Sequence, residues 1–104
     1  MTDKELITLA AKAAGIEIGW DSQGAFLYEP EICALSDAWN PLTDDGDALR
    51  LAVKLGMGLD LPTQTSVYVV VNNDQLEYCK NKDHYAATRR AIVRAAAEIE
   101  RTME

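Results

Sequence analysis

Val67-Tyr68-Val69-Val70-Val71 decides the fold. Successive side chains of a strand point to opposite faces, so five apolar or aromatic residues in a row make both faces apolar. A strand with one wet face alternates; a run without alternation reads as an interior strand with packing on each side of its sheet. Asn73-Asp74 offers a tight turn just beyond it, because both residues tolerate positive φ. Residues 75–79 then return as an antiparallel partner.

Outward from that hairpin, residues 85–102 read as a long helix. At about 100° per residue, Tyr85, Thr88, Ile92, Ala95, Ala96, Ile99 and Met103 fall on one stripe. Arg90, Arg94 and Arg101 fall opposite, toward solvent, and Arg89 flanks the stripe. Upstream, Gly58 to Thr65 is a connection holding Pro62. Thr43 or Asp44 caps a helix with Asp45 and Asp47 in its first turn, where negative charge suits the helix dipole. Ala48, Leu51, Ala52 and Leu55 form its buried stripe, and Gly56 ends it. Residues 29–42, bracketed by Pro30 and Pro41, are the least regular stretch; Trp39-Asn40-Pro41 is extended, because the residue before proline avoids the helical region. Residues 16–20 alternate as a strand, 21–24 carry turn chemistry, and 25–28 form a short second strand. A first helix over 3–14 opens on the Thr2-x-x-Glu5 capping box and closes on Gly15.

The order is α-β-β-α-β-β-α in one domain over residues 1–104: an α+β fold with a mainly antiparallel sheet and helices on both faces, an α/β/α sandwich. At 104 residues the chain has room for a single core. No apolar run approaches the ~18 residues of a membrane span. The segment 1–15 carries early acids and lacks an apolar run, so it does not read as a signal peptide, and a cytoplasmic protein is expected.

The net charge is −7, and the acidic excess lies in residues 1–50, which hold ten acids against three bases. Such a surface opposes direct nucleic-acid binding, since phosphate contacts need clustered Lys and Arg. It suits either solubility or a basic partner. Cys33 and Cys79 lie far apart, and two cysteines with one histidine cannot make a four-ligand zinc site. They read as reduced, buried thiols.

Two blocks, 39–52 (WNPLTDDGDALRLA) and 86–99 (AATRRAIVRAAAEI), resemble blocks shared by small tailed-phage and prophage proteins of the phage ABA sandwich domain family. The resemblance spans most of the chain, from about Ala10 to the last helix. It implies phage origin and an α-β-α sandwich. It implies no activity, no catalytic residue and no cofactor.

The acids Asp44, Asp45 and Asp47 invite a metal reading. The calcium-loop pattern fails: with Gly46 sixth, the first, third and twelfth positions are Pro41, Thr43 and Ala52, none of them a carboxylate. A capped helix start accounts for all three acids, and no metal site is expected. His84 and Thr88 share a helix face, as a base and nucleophile need, yet the adjacent Asp83 is the sole acid in sight to orient the histidine. Gly56-Met57-Gly58 follows a helix, whereas phosphate loops precede one.

Three residues stand as candidate binding groups. Trp39 is either an interface anchor or a core lid. Arg89 pairs either with a carboxylate of the acidic half or with an anionic ligand. Tyr85 is its possible aromatic companion. No nucleophile, base and acid can be assembled, so a non-enzymatic phage accessory protein that binds a host or phage protein is expected. The alternative is a small-ligand binder holding an anionic metabolite or nucleotide through Arg89 with Trp39 or Tyr85.

Overall fold

The computed structural model of the chain describes residues 2–22, 24–29, 34–60, 66–71, 74–79 and 84–103. Helix α1 covers Asp3–Ala14. Its start is fixed by Thr2, whose hydroxyl accepts the Glu5 N–H at 3.1 Å. Its end is a left-handed Gly15, with the Gly15 N–H donated to Lys12 O and the Ile16 N–H to Ala11 O. Only glycine takes that φ of 68° without strain from a Cβ.

Strands β1 (Ile18–Asp21), β2 (Gly24–Glu29) and β3 (Ala34–Ala38) form one antiparallel sheet in the order β1-β2-β3. The Asp21 carboxylate accepts the Gly24 N–H and shapes the β1–β2 turn. Helix α2 covers Asp45–Lys54 and is capped by Leu55, after which the left-handed Gly56 turns the chain away. Strands β4 (Gly58–Asp60), β5 (Ser66–Val71) and β6 (Asp74–Cys79) form a second antiparallel sheet with β5 in the middle. Helix α3 covers His84–Met103.

The fold is therefore α+β, with antiparallel sheets and helices packed against them, and the expected elements appear in the expected order. Two strands are added. Residues 34–38 and 58–60, expected to be irregular, are β3 and β4, and the strands divide into two sheets instead of one. Neither segment has the β-branched or aromatic residues that mark a strand by composition. Each is made a strand by its neighbour: β3 pairs along β2, and β4 pairs with Tyr68 to Val70 of β5. Strand β5 is the central strand of its sheet, as expected, but among the described residues only one helix packs on it. Val69 is fully buried against α3, while Tyr68 and Val70 on the other face are half-buried, so the expected helices on both faces reduce to α3 on one. Asp74, expected in the turn, is paired with Val71 and belongs to β6; its expected turn partner Asn73 lies outside the described residues. Cys33, Pro30, Pro62 and Asp83 also lie outside them, and the side chains of Cys79 and His84 are not described.

Helix α3 departs from its wheel. Ala91, Ile92, Val93, Ala95, Ala96 and Ala97 are all buried, so its middle has almost no wet face. Ala91 and Ala95 pack with Val69 of the second sheet. Ile92, Val93, Ala96 and Ala97 join α1 (Leu6, Ile7, Ala10) and α2 (Ala48, Leu51, Ala52) in the larger core. A helix buried on two sides needs small residues on both, and alanine permits the close approach. Tyr85, at the first turn, is 72% exposed although it lies on the expected buried stripe. Periodicity gives a direction, not a neighbour in that direction. Arg90, expected to point into solvent, is half-exposed and pairs with Asp3 of α1 at 3.0 Å, because α1 runs alongside α3.

Candidate functional site

The segment from Trp39 into α2 ties the molecule together. Trp39 is 3% exposed and sits in the main core, with its backbone N–H on Ala25 O of β2 at 2.9 Å. Asn40 makes an Asx turn: its side-chain oxygen accepts the Leu42 N–H at 3.0 Å, and its carbonyl accepts from Thr43 and Asp44. Pro41 is fully buried inside that turn. Asp44 then caps α2, accepting the Asp47 N–H at 2.9 Å.

Asp47 is the buried charged residue among those described, at 7% exposure. Its two oxygens are both engaged. Oδ2 accepts the Asn40 N–H at 3.0 Å and Oδ1 accepts from Arg50 Nη2 at 2.7 Å. Asp45, the third acid, pairs with Arg89. The three acids thus serve the turn, the cap and α3, and among the described residues no group of three His, Cys, Asp or Glu side chains is placed to hold a metal.

Arg89 reaches across from α3. Its Nε donates to Leu42 O at 2.9 Å, its Nη1 to Asp45, and its side chain is 16% exposed. The flanking position on the wheel and the carboxylate and carbonyl partners are as the sequence suggests. Arg89→Ala is expected to cost about 1–3 kcal/mol, because it removes packing and takes the Arg89 donor from a part-buried carbonyl. Arg90→Ala is expected to cost less than about 1 kcal/mol, since its pair with Asp3 is well exposed. Urea melts of the two variants measure the difference; equal losses would mean that Arg89 does not hold the Trp39 segment to α3.

A cleft of about 570 Å³ opens beside this segment, between the first sheet and α2. Its floor is apolar, from Ile16, Leu27, Trp39 and Leu51, and its rim is charged. Asp37 stands on the strand side, and Arg50 and Lys54 stand on the helix side. Of the three expected binding residues, Trp39 lines this cleft, whereas Arg89 and Tyr85 do not.

The outward face of α2 carries a second feature. Leu49 is 57% exposed and Val53 is 71% exposed, one turn apart on the same side. Arg50 and Lys54 flank them. The one-turn spacing of Leu49 and Val53, away from the Ala48/Leu51/Ala52 stripe, is a signal the sequence itself carries. The cleft was not visible, because it needs residues 16, 27, 37 and 54 to converge.

The chain matches no family model, and no curated protein and no solved structure is similar to it. Among the described residues, no helix is long and apolar enough to cross a membrane.

Proposed function

We propose that this is a non-enzymatic accessory protein of phage or prophage origin that works in the bacterial cytoplasm by binding a host or phage protein, through the outward face of α2. The phage assignment rests on the resemblance of residues 39–52 and 86–99. Antiparallel sheets with helix α3 packed on one of them agree with the coarse α+β character of that family's fold.

The observation that carries the binding role is the exposure of Leu49 and Val53. A β-branched residue costs helix stability, and at this exposure it returns little core burial. Apolar side chains at one-turn spacing, flanked by long cations, are how an amphipathic helix presents anchors to a partner. An anion site built on Arg89 is the weaker reading, because its guanidinium already serves Leu42 O and Asp45.

The test is affinity capture from cells in lytic growth, with the wild type against a Leu49→Asp/Val53→Asp variant. The wild type is expected to retain a stoichiometric protein that the variant loses, while the two melt alike, since both positions are on the surface. Identical captures would reject α2 as the surface.

A further inference from the structure

We infer that the cleft between the first sheet and α2 is a binding site for a small amphipathic zwitterion, an apolar α-amino acid. The inference does not rest on the protein-binding role of Leu49 and Val53, which do not line the cleft although Arg50 and Lys54 border both surfaces.

The volume of about 570 Å³ is in the range of small-molecule sites, and the lining divides evenly, five apolar residues and five charged ones, which suits a ligand that is itself part apolar and part charged. The rim selects the ligand by charge. Three carboxylates face two cations, so an anion meets Asp37, Asp44 and Asp47, and a cation meets Arg50 and Lys54. A ligand carrying both signs matches both walls. Two of the carboxylates are committed already: Asp44 to the α2 cap and Asp47 to Asn40 and Arg50. That leaves Asp37 for an ammonium group. Among the described residues, neither Asp37 nor Lys54 has an ion-pair partner. Arg50 gives one N–H to Asp47 and is 73% exposed, so its other donors remain for a carboxylate beside Lys54.

The sheet points to the same place. The β2–β3 register slips between Phe26 and Tyr28: Phe26 faces Ala38 and Tyr28 faces Leu35, so Ser36 and Asp37 together oppose Leu27. This is a β-bulge, a device that re-aims a side chain and is frequent beside binding sites. Here it falls at Asp37, with Leu27 of the cleft floor directly across. The apolar side chain of the ligand lies over Leu27, Trp39 and Leu51, its ammonium meets Asp37, and its carboxylate meets Lys54 and Arg50.

The experiment titrates the full chain, labelled with ¹⁵N, with L-phenylalanine, 3-phenylpropionate and phenethylamine. These share a ring but carry both charges, the anion alone and the cation alone. L-Phenylalanine is expected to give saturable shifts at Leu27, Trp39 and Leu51 with a millimolar dissociation constant, the range open to a ligand of this size. Each analogue is expected to bind at least about threefold more weakly, the effect of losing one rim contact. Asp37→Asn is expected to weaken L-phenylalanine by about 3–10-fold and to leave 3-phenylpropionate unweakened; Lys54→Gln is expected to leave phenethylamine unweakened instead. Both positions are exposed, so both variants should fold. The proposal is overturned if L-phenylalanine gives no saturable shift, if the shifts lie away from the cleft, or if either analogue binds as well as the amino acid.

Discussion

Trp39→Ala is expected to destabilise the protein by about 3–5 kcal/mol, the range for removing a large aromatic from a packed core. Trp39 is 3% exposed and shares the main core with residues of α1, β2, α2 and α3. Its backbone bond to Ala25 O survives the substitution, so the loss measures the indole alone. For a chain of this size the melting temperature should fall by roughly 12 °C or more. Trp39→Phe keeps most of the apolar volume and should lose less than half as much. Thermal and urea melts of the two variants give the comparison. A Trp39→Ala protein as stable as the wild type would contradict the buried position and return Trp39 to the role of interface anchor.

Asp47→Ala is the second large effect, at about 2–3 kcal/mol. The carboxylate is buried and accepts the Asn40 N–H, a charge-assisted bond whose loss leaves a part-buried donor unsatisfied. The Arg50 half of the interaction adds little, because that guanidinium is largely in water. Arg50→Ala should therefore cost less than about 1 kcal/mol, and Asp47→Asn, which keeps an acceptor for Asn40, should fall between the two. Urea titrations order the three variants. Asp47→Ala no worse than Arg50→Ala would mean that the Asn40 bond does not secure the turn.

Elements fixed by local bonds are legible in the sequence, and elements fixed by distant partners are not. Helix α1 was legible to the residue, 3–14, because Thr2 and Gly15 close it through bonds to their own neighbours. The start of α2 was legible for the same reason, through Asp44. Strand β5 was legible because its composition has no other use. Strands β3 and β4 were hidden, since Ala34 to Ala38 and Gly58 to Asp60 become strands through the partner they meet and not through their own preference. Helix α3 shows a single stripe on its wheel because alanine carries almost no directional signal there; Ala91, Ala95, Ala96 and Ala97 are buried on opposite sides for reasons that lie in α1, α2 and β5. At the site, the engagement of Arg89 could be read from its angle, and the identity of its partners, 44 and 47 residues away, could not. The cleft was beyond reach because the bulge that brings Asp37 opposite Leu27 is a property of pairing.

The outward face of α2 is tested most directly by placing a photo-crosslinking benzoylphenylalanine at position 49 or 53, with the exposed position 12 of α1 as the control, in cells in lytic growth. Irradiation should produce one discrete protein adduct from positions 49 and 53 and none from position 12. Adducts from all three positions alike, or from position 12 alone, would contradict the account.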